Sequence, residues 1–138
     1  MGAYPSQTLL SGDESYLIAM VDLLQKSLVI DADDEELRRL TYEQTKVFAK
    51  FTAEDCAICQ MLAPGFVKFA DNEEYQAILF VRLSSDENPV AKQLMNERAA
   101  PFFVSYCQGR ILECETRDTD ADVQAQLDRL RAFVPTTA

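Results

Sequence analysis

The chain has 138 residues, 48% hydrophobic and 26% charged, with 23 Asp and Glu against 13 Lys and Arg and a net charge of -10. That length suits one domain able to bury a core without help from disulfides or metal, and the composition is that of a folded protein rather than a disordered one. The acidic balance and the lack of any basic cluster argue against nucleic acid and anionic membranes as partners, and no run nears the roughly 20 apolar residues that span a bilayer.

Residues 1–12 are small and polar and read as a loose tail, with neither the basic region nor the apolar run of a secretory signal, so a cytoplasmic location is expected. The opening Met-Gly-Ala-Tyr-Pro-Ser nominally fits an acylation pattern, but the match is short. From Asp13, the apolar residues Leu17, Ile18, Val21, Leu24 and Leu28 recur at helical spacing behind a cap at Ser11 or Asp13. Residues 1–26 therefore read as a tail and an extra helix packed on a domain of residues 27–138.

Within that domain a short apolar run, 27–31, reads as a strand. A helix over 32–42 follows, acidic first and with Arg38 and Arg39 last, an order that suits the helix dipole. Residues 46–51 alternate in strand fashion. A long apolar-periodic helix then starts near Cys56 and runs through Met61, Leu62, Phe66, Val67 and Phe69, with Pro64 in its interior. A strand at 77–84 leads through Asp86 to Pro89 into a helix at 90–97, a strand at 101–106, a turn at Gln108-Gly109, a returning strand at 110–115 and a helix at 121–133 carrying Leu127 and Leu130. Strands alternating with helices and ending in a hairpin imply an α/β fold, a central mixed sheet with helices on both faces. Phe66, Phe69, Phe80, Phe102 and Phe103 read as core.

The chemistry centres on cysteine. Histidine is absent, which removes Ser-His-Asp and Cys-His nucleophiles and His-bearing metal sites, while cysteines stand at 56, 59, 107 and 114. At the first turn of a helix, Cys56 meets unpaired backbone N–H groups and the positive end of the dipole, which favour the thiolate that attacks disulfides. Cys59, three residues on, lies on nearly the same face and can resolve the mixed disulfide. Zinc would require Cys107 and Cys114 as further ligands, but their hairpin spacing does not match a zinc knuckle, and no metal site is assigned. A purely structural pair of thiols is the remaining alternative. With a two-residue turn, Cys107 faces Arg110 and Cys114 lies opposite Phe103, too far apart to bridge, so both are expected to be free.

The run from Cys56 to Pro64, Cys-Ala-Ile-Cys-Gln-Met-Leu-Ala-Pro, resembles the active-site segment of the thioredoxin family. Asp86-Glu-Asn-Pro89 is similar to that family's segment after its third strand, and the stretch from Ala100 to Gly109 resembles its hairpin. The resemblance covers about residues 27–133 and implies a thioredoxin-like fold with thiol–disulfide exchange at Cys56 and Cys59. It implies no cofactor beyond the Cys56–Cys59 disulfide itself. The partners it implies are a protein disulfide or dithiol substrate and an electron-donor reductase. It further implies that Pro101 follows a cis peptide bond beside the dithiol, where Ala100 and Pro101 dock a substrate strand, next to the apolar patch of Ala57 and Ile58.

The departures from the family are specific. Ala57-Ile58 replaces its Gly-Pro pair, Asp55 precedes the first cysteine, and no tryptophan is present. Lys50 stands where the family buries a carboxylate, and Arg82 matches the basic residue usually paired with it. A cation near the sulfurs favours thiolates and makes the disulfide more oxidising, whereas Asp55 beside Cys56 opposes the thiolate by like-charge repulsion unless it points into water, so Lys50 and Asp55 are candidate redox-tuning residues. Two cations cannot pair, so either one swings to solvent or an acid such as Glu54 intervenes; Lys50 could equally extend outward without effect. The alternatives to a general oxidoreductase are a reductase serving one partner and a thioredoxin-fold binding module with little turnover.

Overall fold

The computed structural model describes residues 28–96 and 98–136. Its elements run β1 (Val29–Asp31), α1 (Asp34–Glu43), β2 (Lys46–Thr52), α2 (Ala57–Asp71), a 3-10 turn (Glu73–Tyr75), β3 (Ile78–Ser84), α3 (Pro89–Met95), β4 (Phe102–Cys107), β5 (Arg110–Thr116) and α4 (Asp120–Ala132). The helix expected over 13–26 and its packing on the domain lie outside the described residues.

The five strands form one sheet in the order β1-β3-β2-β4-β5. β1, β3 and β2 run parallel, while β4 is antiparallel to β2 and β5 to β4. Side chains alternate across the sheet, so each residue of β2 has a fixed side. Phe48 faces α2 and α4, in a core with Phe66, Phe80, Phe103, Leu127 and Leu130. Val47, Ala49 and Phe51 face α1 and α3, with Leu37, Val81, Ala91, Phe102 and Val104. Phe48, Phe66, Phe80 and Phe103 touch one another ring to ring at 5.4–6.1 Å between centroids. Each such ring fully buried contributes about 1.5–3 kcal/mol.

Central β2 nonetheless begins with a buried lysine. The Lys46 ammonium donates to the carbonyls of Arg131 (2.8 Å) and Phe133 (2.6 Å), so a cation closes the negative end of α4. The N-termini of α1 and α3 are tied together. Asp33 and Glu36 form a reciprocal cap on α1, whereas Asn88 makes no side-chain cap on α3. The Asp34 carboxylate supplies that cap instead, accepting the Val90 and Ala91 N–H groups at 2.8 and 2.9 Å. Asn88 in turn accepts the Asp34 N–H and donates to Ser84 O.

Two local expectations need correction. Helix α1 runs on to Glu43, so Arg38 and Arg39 sit in its middle and its last turn holds no basic residue. In the hairpin, Gln108 and Gly109 both take positive φ, as a two-residue turn demands, and Cys107 does face Arg110. Cys114, however, lies opposite Val104 rather than Phe103, because the register slips between Ser105 and Tyr106, where β5 carries one extra residue, Leu112. The slip puts Cys114 against the α1/α3 core. Cys107 has the opposite parity to Tyr106 on β4 and belongs to the other face, so sheet geometry keeps the two thiols free. Of the expected core aromatics, Phe69 is only partly buried.

Candidate active site

Strand β2 delivers the chain to a turn at Glu54-Asp55 that ends in Cys56, the N-cap of α2. Asp55 takes φ 54°, a left-handed conformation that Asp tolerates better than most residues and that turns the strand into the helix. Asp86 steadies the turn by accepting the Glu54 N–H at 2.6 Å. Cys56 and Cys59 are joined by a disulfide, with their Cα atoms 5.2 Å apart. The Cys56 sulfur accepts the Cys59 N–H at 3.1 Å, so the helix mouth directs a donor at this sulfur, as thiolate stabilisation requires. Cys56 is half-buried, whereas Cys59 is 6% exposed, so only the first sulfur is open to a large partner. Among the described residues no group of three or more Cys, Asp or Glu could hold a metal ion.

Lys50 lies behind Cys59. Its register partners are Arg82 on β3 and Phe103 on β4, it is 1% exposed, and its ammonium donates to the Cys59 carbonyl at 2.9 Å. The ammonium also stands 5.6 Å from the centroid of the Phe66 ring. Burial, then repulsion from Arg82, lower its pKa to about 8 against a weaker opposing pull from Asp120. The reading in which Lys50 extends into solvent is therefore overturned: its alkyl chain occupies the α2/α4 core, and its charge has a carbonyl to meet. Glu54 is not the intervening acid either. Arg82 is held by Asp31, Nε to Oδ1 at 2.7 Å and Nη2 to Oδ2 at 3.0 Å, since β1 places Asp31 beside Arg82 in register.

The remaining expected residues fall at the same end of the sheet. Ala57 and Ile58 are exposed on the first turn of α2, and Asp55 is exposed beside them. The Ala100–Pro101 peptide bond is cis. Pro101 directly precedes Phe102, which pairs with Phe51 at the dithiol end of β2. A cleft of about 680 Å³ opens there, lined by Ala53, Asp86, Lys92, Arg98 and Ala100 among others. Met61, part of the apolar-periodic run of α2, is 62% exposed and extends the apolar surface of that helix. Two contributors went unread in the sequence. Asp31 finds Arg82 only across a strand pair, and Asp120 packs so closely over Gly65 that a Cβ added there would collide with its carboxylate. Pattern along one segment carries neither contact.

The thioredoxin family pattern matches residues 28–133. The thioredoxin of Geodia cydonium is 33% identical over 66 residues, 48% of this chain and 60% of that protein. Thioredoxin H1 of Arabidopsis thaliana is 27% identical over 105 residues, 76% of this chain and 84% of its own length. Among solved structures, the thioredoxin of Malassezia sympodialis superposes with a TM-score of 0.69 at 24% identity, covering 75% of this chain and 94% of that one. The chain belongs to the thioredoxin family. The expected fold stands, and family and disulfide together support thiol–disulfide oxidoreductase activity, while nothing favours a binding module.

Proposed function

We propose that this protein exchanges disulfides with protein substrates through the Cys56–Cys59 pair, with Cys56 as nucleophile and Cys59 as resolving thiol. The unequal burial of the two sulfurs carries the assignment, since a macromolecular disulfide reaches Cys56 and not Cys59. The Cys56 thiolate attacks one sulfur of the substrate disulfide, forming a mixed disulfide and releasing a substrate thiolate that takes a proton. The Cys59 thiolate then attacks the Cys56 sulfur, releasing the second substrate thiol and closing the protein disulfide. The protein is oxidised by two electrons as the substrate gains them, and no cofactor enters.

Ala57, Ile58 and Ala100 form the docking surface around the accessible sulfur, with the buried Pro101 supporting it from beneath, and the adjoining cleft takes the substrate segment beyond it. Lys50 tunes the couple, because an ammonium behind Cys59 favours its thiolate and makes the disulfide more oxidising. Asp55, exposed to water, tunes it weakly. A separate reductase returns the electrons; the fold neighbour thioredoxin f2 is known in complex with ferredoxin:thioredoxin reductase. The setting is cytoplasmic electron transport and redox homeostasis; no described helix is long and apolar enough to cross a membrane.

Insulin reduction driven by dithiothreitol tests this reading. Cys56→Ser abolishes the catalysed rate, and Cys59→Ser accumulates a mixed disulfide visible on a non-reducing gel. Full activity in Cys56→Ser overturns the assignment.

A further inference from the structure

We propose that Lys50 is a redox-linked proton carrier: opening the Cys56–Cys59 disulfide gives its buried ammonium a Cys59 thiolate as counter-ion, and closing the disulfide takes that counter-ion away. The inference rests on the dithiol chemistry above and adds a group outside it. Three observations carry it. Lys50 is sealed from water, at 1% exposure. Its ammonium is fastened by a 2.9 Å hydrogen bond to the residue whose sulfur changes charge. Among the described residues, no carboxylate lies within ion-pair distance of it.

Charged groups on two neighbouring elements, β3 and α4, bear on Lys50 with opposite sign. From β3, Arg82 repels it, though Arg82 is itself held by Asp31 of β1. From α4, Asp120 attracts it, but that carboxylate is exposed and lies over Gly65 of α2. From α2 come the Cys59 carbonyl and the Phe66 ring, and β4 contributes the uncharged Phe103. With the disulfide closed, burial and Arg82 prevail and the proton is held weakly, with a pKa of about 8. A thiolate on Cys59 adds a full negative charge within one residue of the ammonium, which tightens its hold on the proton.

The protons then balance in two regimes. A dithiol donor sends two electrons into the Cys56–Cys59 bond, becomes a disulfide and gives up two protons. One of them stays on the dithiol, shared between Cys56 and Cys59. Above about pH 8, where Lys50 is neutral in the oxidised protein, the second proton goes to Lys50. Below it Lys50 is already an ammonium, and the second proton leaves to water. The reduced state in both regimes is a dithiol with one proton beside a Lys50 ammonium; the negative charge faces Lys50 when it is on Cys59 and passes to Cys56 for attack on a substrate.

The test is an NMR titration of the full chain labelled with ¹³C at the lysine ε carbons, in the oxidised state and after reduction with a phosphine. The Lys50 signal is identified by its loss in Lys50→Arg. We expect a midpoint near pH 8 in the oxidised protein. Reduction should move it up by at least about one pH unit, a tenfold tighter hold on the proton. The same midpoint in both states overturns the proposal. A second measurement uses Lys50→Arg, whose guanidinium keeps the charge and never loses its proton. The potential of the wild-type couple steepens with pH above about 8 by one proton per two electrons, and that of the arginine variant does not. Identical slopes in the two proteins also overturn it. Failure of the exchange reading is separate: insulin left intact by a protein whose Lys50 midpoint still moves would refute the substrate chemistry alone.

Discussion

Replacing Lys50 by methionine removes a buried charge while keeping most of the side-chain volume, and the structure specifies how stability should respond to pH. In the oxidised native state Lys50 holds its proton with a pKa of about 8, against 10.5 for an unhindered lysine. The unfolded chain therefore binds this proton more tightly than the native state does. Stability must rise as pH climbs from about 8 towards 10.5, because protonation there favours unfolding. Integrating the two titrations gives the wild type a gain of about 2 kcal/mol between about pH 7 and pH 9.5. Buried Tyr75 and Tyr106 have raised pKa values, so their opposing effect begins only above the ordinary tyrosine range, outside this window. Urea unfolding of the oxidised wild type and Lys50→Met at the two pH values isolates the lysine from every other group. The wild type should gain the full increment relative to the variant. Parallel curves would refute the reasoning, since they would mean that the native state solvates the ammonium as well as water does.

Other substitutions probe the frame around the site. Asp34→Ala removes the acceptor that caps α3, leaves the Val90 and Ala91 N–H groups unpaired and should cost about 1–2 kcal/mol in urea unfolding at neutral pH, with faster amide exchange at both residues. Glu113, between Arg129 and Arg117, has its pKa lowered chiefly by the Arg129 hydrogen bond. Its contribution is present above the ordinary carboxylate range and lost as pH falls through its depressed native value, so Glu113→Gln should cost about 1 kcal/mol at neutral pH and nothing in strong acid.

Much of this molecule could be read along the chain, because its signals are local. The position of Cys56 depends on a strand ending and a helix beginning within a few residues, and the chemistry of a thiol at a helix mouth follows from backbone geometry alone. The Asn88-Pro89 helix start and the Gln108-Gly109 turn are equally short-range and fall as expected. The boundaries of α1 were less legible. The helix expected over 32–42 spans Asp34–Glu43, and this shift towards the C-terminus leaves Arg38 and Arg39 in its middle rather than in its last turn.

Contacts between segments distant in sequence were not readable in this way. The partner of Cys114 turned on one extra residue in β5, since side-chain direction alternates along a strand and a single insertion resets every later pairing. Whether Lys50 would be idle or poised turned on its neighbours across the sheet. With Asp31 in register to hold Arg82, and the Cys59 carbonyl directly above, the lysine stays inside. A residue's type declares the charge it can carry; its surroundings, assembled from four separate stretches of chain, set what that charge costs and what it can do.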